Sequence, residues 1–309
     1  MTPDEYLKKV LKQQTFATDA PELKDLRKRR TEIKGILEGH FSESSPSIRW
    51  AGSMAKDTMI KESYDGDMTC YFPHDEDSAG KTLEEIYNNV AELLGKDYDV
   101  ERKASALRVK NQSTKATKGF AEDLHVDVVP GRFTDDDEGD VFMHRTTGEK
   151  ERLKTNLQVH IDHIRDSGVR DAIRMMKYWN ARNAIGAKTF VLELLVVKLL
   201  ADKKDSSLSE QLTHVLTEFR DSVEGLSVED PANSNNDLKP ALDSVRYMLS
   251  SVARTTLSTV DSSGWEGAFG KLDSEDEEDS GERRKAALHA AAIQVRESRP
   301  GTRPWYSGA

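Results

Sequence analysis

The sequence predicts an α+β protein with two lobes. Segments in which apolar and polar residues alternate, as in strands, lie before residue 153, whereas the apolar residues after residue 155 recur at helical spacing. The chain has 309 residues, and a domain averages roughly 150, so the length suits two domains. We predict a lobe of mixed strands and helices over residues 1–153, a helical lobe over residues 154–296 and a flexible tail over residues 297–309.

The composition indicates a cytoplasmic protein without a membrane anchor. Charged residues make up 32% of the chain and the formal net charge is −10, which argues against a protein that wraps nucleic acid electrostatically. The single cysteine, Cys70, excludes a disulfide framework and a cysteine zinc cluster, and it fits a reducing compartment. No segment has the pattern of a signal peptide, and no apolar run approaches about 18 residues.

Two helices are predicted at the start of the chain, over residues 3–14 and 21–40. Pro3 and Pro21 suit first helical turns, and the apolar residues that follow recur at helical spacing. The second helix carries a cluster of basic residues that has two interpretations, a contact with phosphate or RNA, or a solvated helix surface, which we favour. The cluster consists of Lys24, Arg27, Lys28, Arg29 and Arg30.

A Gly-Ser turn and a pair of aspartates follow. Residues 48–51 read as a strand that leads into Gly52-Ser53, and residues 68–72 form a second strand-like run just after Asp65 and Asp67. Side chains at i and i+2 of a strand share a face, so the two carboxylates repel each other unless a cation lies between them. Mg²⁺ suits such oxygen ligands, although acidic pairs are also common on solvated surfaces. The turn offers backbone N–H groups to a phosphate if a helix begins there.

A third acid lies in the middle of a later strand. Residues 106–110 and 120–129 are predicted strands, and the second is expected to end at Pro130-Gly131. Alternation places Val126 and Val128 on one face, together with residue 124, and His125, Asp127 and residue 129 on the other. A carboxylate in such an apolar strand is costly unless it is paired or bound to a metal.

Three other segments resemble binding motifs less well. Residues 80–82 are better explained as the start of a helix over residues 83–95, because Thr82 and Glu85 form a capping box. The acidic run 135–140 lacks the spacing of a calcium-binding EF-hand loop, and a second acidic run covers residues 273–282, so we predict solvated loops for both. His160 and His163 lie three apart on a predicted helix and can bind zinc only if further ligands converge.

The predicted helical lobe contains one unusual lysine. Lys177 lies among Met175, Met176, Tyr178 and Trp179, and a buried ammonium group needs an anion unless the side chain extends along the apolar surface to water. Residues 190–200 are apolar nearly all round, as in a helix in the middle of a domain. Further helices are predicted over 208–219, 238–249, 256–269 and the alanine-rich stretch 283–297.

Together these residues resemble a known superfamily. An apolar residue, Gly-Ser, a spacer and Asp-x-Asp are typical of nucleotidyltransferases, and Gly52-Ser53-x-x-Lys56-x-Thr58 is similar to the oligoadenylate synthetases and their bacterial relatives, the CD-NTases. Asp127 resembles the third carboxylate of that superfamily. Gly66 departs from the pattern, which has an apolar residue between the first two carboxylates, so we expect a looser strand there.

The resemblance covers about residues 45–270 and implies a polymerase-β-like fold of two lobes. The N-terminal mixed-sheet lobe would be catalytic, with N-terminal bridging helices, and the active site would lie in the cleft between it and the helical lobe. The resemblance implies two Mg²⁺ ions, with Mn²⁺ as the alternative, held by the catalytic residues Asp65, Asp67 and Asp127.

The same resemblance assigns the nucleotide-binding residues. Gly52 and Ser53 would hold the donor triphosphate, and Lys56, Lys177 and Thr189 would lie at its far end. Tyr178, Asn180 and Arg182 are candidates for contacts with a base because they follow Lys177 closely.

The implied reaction makes a cyclic di- or trinucleotide second messenger from ATP, GTP or pyrimidine nucleoside triphosphates, with release of pyrophosphate. A separate effector would read the product in bacterial anti-phage (CBASS) signalling, and an associated enzyme could conjugate the tail at Gly308-Ala309. The protein is expected to be a monomer. Three alternatives stay open: a linear oligonucleotide or RNA-tailing nucleotidyltransferase, a toxin that transfers AMP, and a silent nucleotide-binding or scaffold protein.

Overall fold

A seven-stranded mixed sheet forms the centre of one lobe. The computed structural model describes residues 1–112, 125–135, 139–148 and 150–272. Within these ranges the strand order is β1-β2-β5-β4-β3, with β6 beside β5 and β7 beside β6. Only β2 and β5 pair in parallel among the described strands. The strands are β1 (Ser47–Trp50), β2 (Gly66–Phe72), β3 (Tyr98–Arg102), β4 (Leu107–Asn111), β5 (Val126–Phe133), β6 (Asp140–His144) and β7 (Arg152–Asn156).

Ten α-helices accompany the sheet in the described part of the chain. They are α1 (Pro3–Gln13), α2 (Pro21–His40), α3 (Gly52–Lys56), α4 (Leu83–Leu94), α5 (Leu157–Arg165), α6 (Arg170–Arg182), α7 (Thr189–Leu199), α8 (Leu208–Asp221), α9 (Lys239–Asp243) and α10 (Arg246–Phe269). No helix in these ranges has the length and apolar character needed to cross a membrane.

Two separate apolar cores define the two lobes. The inward faces of the strands pack against α2 and α4, and Leu26 and Ile86 are fully buried there. The second core joins α1 to the helices after α5, with Trp179 at 1% exposure near its centre. The indole Nε1 of Trp179 donates to Thr256 Oγ1 at 2.9 Å, which satisfies its one donor. The first helix therefore packs in the helical core and the second in the sheet core.

The residues after α3 connect the two lobes. Arg170 on α6 forms an ion pair with Asp57, with 2.5 Å between Nη1 and Oδ2. The backbone N–H of Lys61 donates to the Gln14 carbonyl at 3.0 Å. Ile60 is fully buried in the helical core. The loop between α3 and β2 thus holds the edge of the sheet against the helices.

The structure confirms the predicted helices between residues 3 and 219 within a few positions. The break predicted between residues 249 and 256 is wrong, because α10 continues through these residues. Thr82 Oγ1 accepts from the Glu85 N–H at 3.1 Å, and the Glu85 carboxylate accepts from the Thr82 N–H at 3.2 Å, as the capping box requires. Residues 238–269 form α9 and α10, and α10 departs from helical geometry at Gly264. The predicted alanine-rich helix and the tail lie outside the described residues.

Three strands were not predicted, and one ends later than expected. Residues 120–124, where the start of that strand was predicted, lie outside the described residues. The strands β3, β6 and β7 are five residues each, and their sequences lack a clean apolar alternation. The predicted end of β5 at Pro130-Gly131 is wrong, because the strand continues to Phe133. On that side of β5, the pairing with β4 reaches only to Val128 and the pairing with β6 starts at Arg132. Pro130 therefore faces a gap in the ladder, where its missing N–H costs little.

Candidate active site

Three carboxylates converge on one face of the two parallel strands. The register pairs Gly66 with Val126 and Asp67 with Asp127, so period-two alternation sends both acids to the face opposite the buried Val126. Asp65 precedes β2 by one residue, and ligand oxygens of Asp65 and Asp127 lie within 4.8 Å of each other. We call Asp65, Asp67 and Asp127 the acidic cluster. The sequence predicted this set, and the structure brings it together.

The electrostatics of the acidic cluster favour a cation. Burial, and then the neighbouring charges of Asp65 and Asp127, raise the pKa of Asp67 to about 7, although Lys56 and Lys177 act in the opposite direction. A divalent ion would relieve the repulsion among the three carboxylates, and oxygen ligands of this kind are those that Mg²⁺ and Mn²⁺ prefer. The donor set therefore fits the metal that the sequence predicted.

Arg108 on β4 was not among the predicted site residues. Its Nε and Nη2 donate to Asp127 Oδ1 and Oδ2, both at 3.0 Å, in a bidentate pair. Arg108 lies directly opposite Asp127 in the ladder between β4 and β5. A signal was present in the sequence, because Arg108 alternates with the buried Leu107 and Val109 and so shares the face of Asp127. The ion pair orients the carboxylate and offsets part of the negative charge.

The Gly-Ser turn packs directly on the acidic cluster. A short helix, α3, does begin at Gly52, whose φ is +55°. A Cβ atom on Gly52 would lie 1.7 Å from Asp67 Oδ2, so only glycine allows the turn to approach this carboxylate. Ser53 is buried, and its Oγ has no hydrogen-bond partner in the described structure. Buried hydroxyl groups normally have a partner, and an oxygen of a bound ligand would supply one here.

The two predicted lysines meet at a buried glutamate. Lys56 Nζ lies 2.5 Å from Glu193 Oε2, and Thr58 Oγ1 donates to Glu193 Oε1 at 2.9 Å. Lys177 Nζ donates to the Thr58 carbonyl at 2.8 Å and lies 3.7 Å from Glu193 Oε1. Glu193 is fully buried. We call Lys56, Thr58, Lys177 and Glu193 the lysine network.

Lys177 does not extend to the surface, since the residue is only 5% exposed. Burial lowers the pKa of its ammonium group, and the charge of Glu193 opposes this effect. Glu193 was not predicted as a site residue. The sequence signal for it was a single acid in the otherwise apolar stretch of α7. A buried acid of this kind requires a cationic or hydrogen-bonding partner.

Thr189 lies at the start of the same helix as Glu193. It is exposed and is the first residue of α7. The ring of the next residue, Phe190, lies under Lys56, with 5.4 Å from Nζ to the ring centroid. Thr189 thus precedes Glu193 of the lysine network on the same helix. Its role in binding phosphate stays a prediction.

Comparison with solved structures finds the same overall fold in known proteins. The CD-NTase CdnG of Bradyrhizobium diazoefficiens, in complex with GTP, superposes with a TM-score of 0.65 at 12% identity over 95% of this chain and 99% of that one. CdnC of E. coli MS115-1, in a complex with HORMA-deltaN, gives 0.63 at 19% identity over 87% and 97%. The Vibrio cholerae cyclic AMP-GMP synthase DncV, with the linear intermediate 5′-pppA(3′,5′)pG, gives 0.60 at 19% identity over 87% and 95%.

This chain has the CD-NTase fold. The prediction of a polymerase-β-like fold of two lobes is thereby confirmed. No protein-family model matches the sequence, and no curated protein matches it either.

Gly66 is the position where the sequence departs from the nucleotidyltransferase pattern described above. A Cβ atom on Gly66 would lie 2.8 Å from Leu26 Cδ1 and 3.2 Å from Val126 Cγ2. Leu26 on α2 is fully buried and occupies the space that a larger residue at position 66 would need. Packing under the strand at Gly66 is thus supplied by α2, a helix from outside the motif.

The candidates for contacts with a base are engaged within the helical lobe. The rings of Tyr178 and Phe269 stack, with 5.6 Å between centroids. Asn180 Nδ2 donates to the Ala187 carbonyl at 3.1 Å and Asn180 Oδ1 accepts from the Ala187 N–H at 3.0 Å, which holds the loop before α7. Arg182 Nη1 donates to the Tyr178 hydroxyl at 3.2 Å. Their contribution to base selection stays a prediction.

The remaining predicted motifs have local explanations where the structure describes them. His160 Nε2 lies 2.6 Å from Asp230 Oδ1, and neither His160 nor His163 belongs to a metal-ligating group among the described residues. Asp140, from the first acidic run, pairs with Lys154 at 2.5 Å. Residues 136–138 of that run and the whole of the second acidic run lie outside the described residues.

Proposed function

We propose that this chain is a metal-dependent nucleotidyltransferase that makes a cyclic di- or trinucleotide from nucleoside triphosphates. One observation carries the proposal: three carboxylates share one face of two parallel strands, and a Gly-Ser turn lies against them. The CD-NTase fold supports it, because DncV is a cyclic AMP-GMP synthase and CdnG binds GTP in the structures compared above.

One set of residues would bind the metal ions and another would bind the donor triphosphate. Asp65, Asp67 and Asp127 would hold the divalent ions, which stabilise developing charge and lower the pKa of the attacking hydroxyl. The backbone of Gly52-Ser53 and the Ser53 hydroxyl would bind the donor phosphates. Phosphoryl transfer depends mainly on such positioning and charge neutralisation.

The lysine network would neutralise the far end of the triphosphate. Lys56 and Lys177 keep donors for a phosphate oxygen, since an ammonium group has three. In the transfer step the acceptor hydroxyl forms a bond to the α-phosphorus, the bond to the β-phosphate oxygen breaks, and pyrophosphate leaves. Asp127 would accept the proton of the hydroxyl. A second transfer within the bound product would close the ring.

Several finer expectations belong to the same proposal. The protein would act as a monomer in the cytoplasm, with two Mg²⁺ or Mn²⁺ ions, and ATP, GTP or pyrimidine triphosphates would be its substrates. A separate effector would read the cyclic product in anti-phage (CBASS) signalling, and the tail would be open to conjugation.

The test is to incubate the purified protein with labelled ATP, GTP, CTP and UTP, singly and in pairs, with Mg²⁺ or Mn²⁺. Products are treated with phosphatase and identified by mass. A phosphatase-resistant ring supports the proposal, whereas a linear oligomer, an extended RNA or an adenylylated protein supports the corresponding alternative. Absence of any product, with nucleotide still bound, favours the silent nucleotide-binding protein.

The matched control is the double variant Asp65→Asn with Asp67→Asn. It keeps the size of both side chains and removes two negative charges, so product should fall below detection while the circular dichroism spectrum is unchanged. Turnover near that of the wild type would show that the metal assignment is wrong.

A further inference from the structure

His125 lies next to the acidic cluster, just before the start of β5. It precedes Val126 on β5 as Asp65 precedes Gly66 on β2, and these two strands are parallel and in register. The Gly66 N–H donates to the His125 carbonyl at 3.3 Å, which fixes the backbones side by side at this level. Asp65 therefore lies beside His125, and Asp67 lies beside Asp127 at the next position on the same face of the strands.

The distances around His125 are those of ligands that share an ion. His125 Nε2 lies 3.8 Å from Asp65 Oδ2 and 3.9 Å from Asp127 Oδ1. Both distances exceed the usual hydrogen-bond range of about 2.7–3.2 Å, so neither pair is a direct hydrogen bond. Two ligand atoms that are each about 2.1 Å from one ion lie at most about 4.2 Å apart. A single ion thus fits between His125 Nε2 and either acid.

The side chains are also placed and buried as ligands should be. The His125 side chain is 17% exposed and that of Asp127 is 15% exposed, so both are largely shielded while still reachable from solvent. Arg108 does not exclude a metal from Asp127, because each carboxylate oxygen has two lone pairs and can accept a hydrogen bond while it ligates.

We propose that His125 Nε2 is a metal ligand together with Asp65 and Asp127, and that it shifts the site toward Mn²⁺ relative to Mg²⁺. Mg²⁺ prefers an all-oxygen shell and gives up water reluctantly, whereas first-row transition ions accept an imidazole nitrogen more readily. The inference rests on the proposed function in that it concerns the same metal site, yet metal binding is measurable without any nucleotide.

The experiment uses the full chain with Mn²⁺ alone. Pulsed electron paramagnetic resonance detects a ¹⁴N nucleus bonded to Mn²⁺, and titration followed by the signal of free Mn²⁺ gives the affinity, with Mg²⁺ as competitor. The wild type should show the nitrogen coupling. His125→Gln should lose it and bind Mn²⁺ about tenfold more weakly or worse, with a smaller change for Mg²⁺.

His74→Gln is the matched control, because His74 is exposed and lies just beyond the other end of β2. It should keep both the coupling and the affinity. His125→Asp should restore binding through oxygen, without the nitrogen coupling and with a lower preference for Mn²⁺. Unchanged circular dichroism shows that each variant is folded.

The outcomes separate this inference from the proposed function. If Asp65→Asn releases Mn²⁺ but the wild type shows no nitrogen coupling, His125 is not a ligand and the enzyme proposal stands. If the coupling is present and depends on His125 but no triphosphate is consumed, the inference stands and the enzyme proposal fails. A wild type that binds no Mn²⁺ at this site overturns the inference.

Discussion

The acidic cluster and the lysine network lie at the two ends of the short helix α3 and differ in how their charges are matched. Gly52, at the start of α3, approaches Asp67, and Lys56, at its end, pairs with Glu193. The acidic cluster has three carboxylates with the Arg108 guanidinium bound to one of them, and the pKa of Asp67 is raised to about 7, first by burial. The lysine network has two ammonium groups around one fully buried carboxylate.

The acidic cluster would gain stability from a bound cation, whereas the lysine network is already stable without a ligand. Added positive charge relieves repulsion in the acidic cluster, whereas Glu193 already compensates much of the charge of the lysine network. The lysine network therefore contributes to the attachment of the two lobes as well as to any contact with phosphate. Five predictions test this contrast and the strand that supports the acidic cluster.

Gly52→Ala should disrupt the acidic cluster at the start of α3. The new methyl group would lie 1.7 Å from Asp67 Oδ2, and φ at this position is +55°, so the carboxylate and the turn must move apart. Because a displacement of about 1 Å can cost about 100-fold in rate, we expect at least that loss of nucleotide transfer, measured by release of pyrophosphate. Gly35→Ala is the control, since nothing lies within 4 Å of its added methyl group. Equal activity of both variants would contradict the prediction.

Glu193→Gln should disrupt the lysine network, at the other end of α3, and lower the stability of the protein. It removes the carboxylate from between two buried ammonium groups, so the free energy of unfolding should fall by about 3–5 kcal/mol in urea titrations. Glu224→Gln is the control, because Glu224 is exposed, and it should change stability by less than about 0.5 kcal/mol.

The same variant sharpens the comparison when a nucleotide is added. If Lys56 and Lys177 also bind the triphosphate, ATP should raise the melting temperature of Glu193→Gln by more than that of the wild type, because the phosphates supply the missing anion. An equal shift in the two proteins would mean that the lysine network is structural only.

Gly66→Ala tests the support beneath the acidic cluster. Its methyl group would lie 2.8 Å from Leu26 Cδ1, so the packed α2 must adjust, at a cost of about 1–3 kcal/mol in the free energy of unfolding. Leu26→Ala should relieve this contact, and the double variant should be more stable than the sum of the single changes predicts. Additive effects in the urea titrations would show that the two residues do not compete for space.

The smallest expected effect concerns the reactivity of the Cys70 thiol, which reports on solvent access to the inward face of β2. The thiol is fully buried, and burial raises its pKa to about 12. Because this pKa is above the usual value, the reactive thiolate stays scarce at pH 8 in the folded protein. A disulfide reagent such as DTNB should therefore modify Cys70 only after unfolding, as followed by absorbance. Rapid modification of the native protein would show that this face of β2 opens to solvent.

The sequence by itself determined the local parts of this protein. Period-two alternation placed Asp127 opposite the buried valines, a strand was predicted to lead into the Gly-Ser turn, and the helical spacing identified the segment that carries Lys177. These features depend on residues close together in the chain, so they are visible without a structure. The strands β6 and β7 escaped prediction because their residues lack a clean apolar alternation, whereas β4, which is equally short, was predicted from the alternation of Leu107 and Val109 with charged residues.

Only the tertiary structure decided which of these parts meet. The register of β2 against β5 sets Asp67 level with Asp127 and brings His125 beside Asp65. Glu193 joins Lys56 from 137 residues away, and Leu26 fills the space beside Gly66. Such contacts follow from how elements distant in the chain pack together, and the spacing of residues along one strand or helix carries no information about its partner.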